Sequence, residues 1–171
     1  MPKIAAAVLV LVCLTLLSVP MSAQLLPRGN VYAGYSYGQL TDVINKQSYS
    51  KGWDGSGEVL PFARFSYLGF VVDGSGFYRS GVTVYSGFGG VRLSTNMGNW
   101  RPFVHGMYGI RHINSNGFVY NPKALDIGGG VDYKLWFKNF SWRVQGDYMR
   151  AHYASANQND FRASTGIVWR F

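Results

Sequence analysis

The 171-residue sequence holds one cysteine, Cys13, and six prolines, and only 8 acidic residues stand against 16 lysines and arginines. Cys13 lies inside an apolar run near the N-terminus. If that run is removed on export, no cysteine remains, which excludes disulfides and thiolate metal sites. Apolar runs are scarce too: the stretch from Ala5 to Leu17 is shorter than the ~20 residues of a membrane-spanning helix, and nothing later in the chain approaches it. An inner-membrane helical protein is thereby excluded. Beyond residue 29 there is no helical periodicity of useful length, no internal repeat and no low-complexity tract.

Residues 1–23 have the layout of a secretory signal peptide: Lys3, the apolar run, then Pro20-Met21-Ser22-Ala23, with Gln24 as the expected mature N-terminus. Val12 before Cys13, and the apolar residues after it, do not fit a lipoprotein signal. Removing Lys3 changes 16 basic residues to 15 against 8 acidic ones, a balance of +7. Behind an export signal, that charge points to an anionic membrane surface rather than nucleic acid. Residues 24–171 make one domain.

What the rest contains is alternation. Eight segments read as strands: Asn30–Gly38, Gly52–Leu60, Ala63–Tyr78, Val82–Ser94, Arg101–Ile113, Lys123–Trp136, Phe140–His152 and Asp160–Phe171. In the sixth, Leu125, Ile127, Val131, Tyr133 and Leu135 alternate with Ala124, Asp126, Asp132 and Lys134. In the seventh, Trp142, Val144 and Tyr148 oppose Arg143, Gln145 and Asp147. In the eighth, Phe161, Ile167 and Trp169 oppose Arg162, Ser164 and Arg170. Charge keeps to one phase, where Gly, Ser and Ala crowd between the charged positions. Such a phase suits a narrow interior. Aromatic residues concentrate near strand ends, with Tyr35, Tyr37, Trp53, Tyr78 and Tyr148 at one end and Trp100, Trp136, Phe137, Phe140, Trp142, Trp169 and Phe171 at the other. Two aromatic girdles match the two headgroup levels of a bilayer. The expected fold is all-β, an eight-stranded antiparallel up-and-down transmembrane β-barrel. A soluble ligand-binding barrel with its apolar phase inward is the competing architecture.

Links near residues 61–62, 95–100 and 137–139 are expected to be short. Gln39–Lys51, Asn114–Pro122 and Tyr153–Asn159 read as longer polar loops, and Arg79–Gly81 breaks that trend. Short turns periplasmic and long loops extracellular put both chain ends in the periplasm.

Laid out this way, the chain resembles the small eight-stranded outer-membrane barrels of the OmpA membrane-domain and OmpX type over essentially all of residues 24–171. The C-terminal pattern Ser164, Gly166, Trp169 and Phe171 is similar to the signal read by the outer-membrane barrel-assembly machinery. Gly52-Trp53-Asp54-Gly55-Ser56, Pro102-Phe103-Val104-His105-Gly106, Gly128-Gly129-Gly130-Val131-Asp132 and Val144-Gln145-Gly146-Asp147-Tyr148 most resemble OmpA-like barrels of acidobacteria. With Phe171 closing the eighth strand, the peptidoglycan-binding domain of full-length OmpA is not expected. The resemblance implies a monomer in the outer membrane of a Gram-negative-type bacterium, and no cell-wall tether.

Glu58, Asp132, Lys134, Arg143, Asp147 and Arg162 all fall on the polar phase and are expected to form an interior charge network, with Arg143 and Asp147 interacting strongly. That network either plugs the barrel or gates a narrow pore for ions or small solutes. Lys46, Lys51, Arg79, Lys123 and Arg150 sit near the extracellular rim, where they face lipopolysaccharide phosphates or simply solvent. A lipid-modifying enzyme would need a Ser activated by His. His112 lies three residues before Ser115, but no acid in that loop orients it. His105 and His112 have opposite parity and make a poor metal pair, and glycine-rich pieces such as Gly128-Gly129-Gly130 lead into no helix. The expectation is therefore a non-enzymatic protein of structural or adhesive role, with no cofactor and no metal.

Overall fold

A computed structural model describes residues 28–41, 47–61, 67–79, 82–115, 118–152 and 157–171, with the backbone alone at 40, 41, 47–49 and 157. The expected leader and Lys46 lie outside them. The strands are β1 (Arg28–Thr41), β2 (Gln47–Leu60), β3 (Leu68–Arg79), β4 (Val82–Ser94), β5 (Trp100–Ser115), β6 (Phe118–Tyr120), β7 (Lys123–Lys134), β8 (Phe140–His152) and β9 (Asn157–Arg170). Each main strand pairs antiparallel with its sequence neighbour, and β1 pairs with β9, so the sheet closes on itself. The result is an eight-stranded up-and-down barrel, because β6 is only a spur on the end of β5. Among the described residues, closure leaves none of the eight main strands at a sheet edge, the condition for β structure in lipid.

The ladders differ from the sequence pattern mainly at their ends. β1 and β2 stay paired as far as Thr41 opposite Gln47, so much of the expected loop Gln39–Lys51 is strand. Polar residues there satisfy their backbones by pairing beyond the apolar band. The third strand starts at Leu68 rather than Ala63, and residues 62–66 lie outside the described residues. Its alternation continues upstream in sequence, but β2 ends at Leu60, and the β2–β3 ladder stops at Val59 opposite Phe70. The link expected at 61–62 lies partly outside the described residues. The expected loop 114–122 contains β6, paired through Ile113–Ser115.

Alternation sorts the side chains by face. Val31, Tyr35, Trp53, Val72, Tyr85, Tyr108, Ile127, Trp142 and Ile167 are exposed on the outside. Aromatic partners brace both rims: Trp53 Nε1 donates to Tyr78 Oη at 3.2 Å, Trp142 Nε1 donates to Thr165 Oγ1 at 2.8 Å, and the Trp100 and Tyr133 rings lie 4.6 Å apart. An apolar outer wall with aromatic rims is what a lipid-facing barrel presents. Inside, the polar filling expected from the sequence is only half of what is found. Val71, Phe77, Val84, Phe88, Met107, Ile113, Ala124, Met149 and Ala151 form a buried apolar cluster, most of it on β3, β4 and β5. On those strands both phases carry apolar residues, which hides from the sequence which one points inward.

Candidate functional site

The charged side of the lumen is built by cross-strand neighbours. Near the turns 95–99 and 135–139, Asp132 stands opposite Arg143 in the β7–β8 ladder. Arg143 grips it with both ends of its guanidinium, Nε to Oδ1 at 2.7 Å and Nη2 to Oδ2 at 3.0 Å. Arg170 adds a contact to Asp132 Oδ2 at 2.6 Å. The Arg143 guanidinium also lies 4.7 Å from the Phe103 ring centre and 5.0 Å from that of Tyr32, so its flat faces are covered by aromatic surface. Glu58 Oε2 accepts from Asn30 Nδ2 at 2.7 Å and Arg92 Nη1 at 3.3 Å, and Arg101 Nη2 lies 3.6 Å from its Oε1.

A second group surrounds Arg162, which is fully buried. Its Nε donates to Asp147 Oδ2 at 2.7 Å, its Nη1 to Asp73 Oδ1 at 3.0 Å and its Nη2 to Asp126 Oδ2 at 3.3 Å. Asp54 Oδ1 lies 3.5 Å from the same Nη1. One cation from β9 thus bridges carboxylates from β2, β3, β7 and β8. Gln145 joins Asp54 to Asp147 through its Nε2, at 3.0 and 3.3 Å. His105 Nε2 lies 3.0 Å from Asp147 Oδ1 and 3.9 Å from Asp126 Oδ1. A third pair, Arg111 with Asp160, sits beside Gln158 toward the loop end.

Five of the six expected interior charges, Glu58, Asp132, Arg143, Asp147 and Arg162, are buried inside the barrel. Lys134 is exposed instead. It is on the inward phase but ends β7, past the last β5 partner at Tyr133, so its side chain leaves the barrel at the rim. The expected Arg143–Asp147 interaction is also replaced. Four residues along one strand are about 13 Å apart, whereas the directly opposing residue is about 5 Å away. Arg143 therefore takes Asp132, and Asp147 takes Arg162, each its ladder partner.

The sequence reading missed Asp54, Asp73, Asp126, Asp160, Arg92, Arg101, Arg111, Arg170 and His105 as members. Most could have been found by collecting every charge on the phase opposite Trp and Tyr. His112, by contrast, faces outward with Nδ1 2.7 Å from Asn121 Oδ1. In the C-terminal pattern, Ser164 is buried against Ser36 at 2.8 Å, and Trp169 and Phe171 face outward with rings 5.3 Å apart. Gly166 lies against β1, where a Cβ would come within 2.2 Å of the Ala33 carbonyl. Of the rim cations, Lys51, Lys123 and Arg150 are exposed on the outward phase at the loop end, and Arg79 is exposed on the inward phase at the mouth.

No protein-family model matches the chain, and no curated protein does. Among solved structures, it is similar to Neisserial surface protein A, at 13% identity and a TM-score of 0.70 over 84% of this chain and 97% of that one. The N-terminal β-barrel domain of Pseudomonas aeruginosa OprF aligns at 14% identity and a TM-score of 0.63, covering 83% and 97%. The Yersinia pestis outer membrane protein Ail aligns at 13% and 0.50, covering 85% and 99%. The narrower likeness to acidobacterial barrels has no support among them. At these identities it is the fold that is shared, and that fold is the small eight-stranded outer-membrane barrel.

Proposed function

We propose that this protein is a closed, non-enzymatic barrel of a bacterial outer membrane, with a structural or surface-interaction role and its loop end outside the cell. The observation that carries the closed reading is Arg162, fully buried and in contact with aspartates from four other strands. An eight-strand interior is just wide enough for side chains to fill it. Here ion pairs and the apolar cluster fill it together. The apolar outer wall and its aromatic rims support insertion in lipid, and the fold shared with outer-membrane proteins supports the location.

The test is to refold the chain into detergent micelles, compare boiled and unboiled samples by gel mobility, and record planar-bilayer currents from the same preparation. A heat-shifted band without conductance is expected. Stepwise currents would establish the pore reading instead, and a species that stays soluble without detergent would overturn membrane insertion.

At the loop end, Lys51, Lys123 and Arg150 project outward beside Tyr37, Tyr78 and Tyr148, at the level where lipid phosphates begin. Under this reading they contact lipopolysaccharide. A Lys123→Glu, Arg150→Glu double variant is expected to lose bound lipopolysaccharide while keeping the folded gel band. Unchanged co-purification would remove the contact.

A further inference from the structure

We propose that His105, Asp126 and Asp147 hold one divalent transition cation of the zinc type inside the barrel. Their ligand atoms, one imidazole nitrogen and one oxygen from each carboxylate, lie within 4.8 Å of one another, and all three residues are buried. Arg162 sets their direction. It occupies Oδ2 of Asp126 and Oδ2 of Asp147, which leaves the Oδ1 atoms of both facing His105.

Neither Oδ1 accepts a hydrogen bond, and neither nitrogen of His105 makes one. The Nε2–Oδ1 separations of 3.0 and 3.9 Å are thus close approaches without hydrogen-bond direction. They bracket the about 3.3 Å between neighbouring ligand atoms around a tetrahedral ion with bonds of about 2.0–2.1 Å. Lone pairs sharing one ion produce this arrangement.

A second observation comes from the facing backbone. A Cβ built on Gly128 would fall 2.2 Å from Asp147 Oδ1, 2.7 Å from His105 Nε2 and 2.8 Å from the Gly146 carbonyl oxygen. The imidazole nitrogen and the Asp147 oxygen therefore pack directly against the Gly128 backbone, an approach that any side chain at 128 would block. Charge points the same way. Asp54, Asp73, Asp126 and Asp147 share a single guanidinium, and a divalent cation neutralises the two whose Oδ1 atoms face His105. One imidazole among oxygens favours zinc and its transition-metal neighbours over magnesium or calcium, which take oxygen alone.

Because the site is enclosed, the ion must enter as the barrel folds. The wild-type chain and a His112→Gln, His152→Gln variant, which lacks the two surface histidines, would be refolded with Zn2+ in parallel with His105→Gln and Asp126→Asn. After a chelator wash, metal per chain would be measured on the heat-shifted folded band. About one Zn2+ per chain is expected for the first two, falling at least tenfold in His105→Gln and Asp126→Asn. Refolding the wild type with Co2+ should give the intense visible absorption of a four-coordinate ion. That reading stays informative if an interior variant fails to fold. Sub-stoichiometric metal in the folded wild type, equal metal in the folded interior variants, or a wild type without the Co2+ band would overturn the site and leave an ordinary histidine–aspartate contact.

Discussion

An arginine or aspartate with no exposed surface keeps its charge only while its partners stay in place, because removing one strands the other in a medium that solvates it poorly. Asp132 is the sharpest case, since two guanidiniums converge on its carboxylate and Arg143 has no exposed surface. Asp132→Asn is expected to cost about 3–5 kcal/mol of folding stability, read as a shift in equilibrium urea unfolding of the refolded barrel. Adding Arg143→Met to that variant should recover part of the loss, because the side chain between Phe103 and Tyr32 is then apolar and no longer lacks a counter-charge. A double variant as unstable as the sum of the two single ones would show that the pair acts through its packing rather than its charge.

Between strands, the spacing is set by positions where backbones nearly touch. At Gly109 a Cβ would sit 1.9 Å from the Gly87 carbonyl oxygen, while at Gly106, on the same strand, it would meet nothing within 4 Å. Gly109→Ala is therefore expected to abolish or strongly reduce the heat-shifted folded band, and Gly106→Ala to leave it unchanged. Equal behaviour of the two would mean that the β4–β5 ladder yields more easily than this geometry implies. Existence and direction of these strands were legible from alternation alone: β7, β8 and β9 show it with little noise. β3 was less legible, since Val71, Asp73 and Phe77 face inward while Phe70, Val72 and Tyr78 face outward, and neither set is distinctly polar. Ladder register was not legible either. Which residue opposes Asp147 depends on the shape of the turn before β9, and one step of slip would turn Arg162 to the lipid side. That is why the membership of the network was partly readable and its pairing was not.

Taken whole, the lumen combines an apolar cluster drawn from β3, β4, β5, β7 and β8 with ion pairs drawn from β2–β5 and β7–β9. Strands β3, β4, β5, β7 and β8 contribute to both, so none of these can leave without opening both. Unfolding in urea is expected to be a single transition, with tryptophan fluorescence and loss of the compact gel band coinciding. A lag between the two probes would mean that part of the barrel loosens before the rest.

The placement of Arg162 bears on how the barrel comes to be made. Its four aspartate contacts lie on β2, β3, β7 and β8, all of which precede β9 along the chain. Until β9 docks, those acids share no guanidinium from it and repel one another across an open, wettable curl of sheet. Docking the closing strand brings in the one guanidinium that all four contact and so offsets part of that repulsion. The same residue that fills the finished interior thus works beforehand as a latch, holding the unfinished sheet apart from itself and rewarding only the arrangement in which the cylinder is shut.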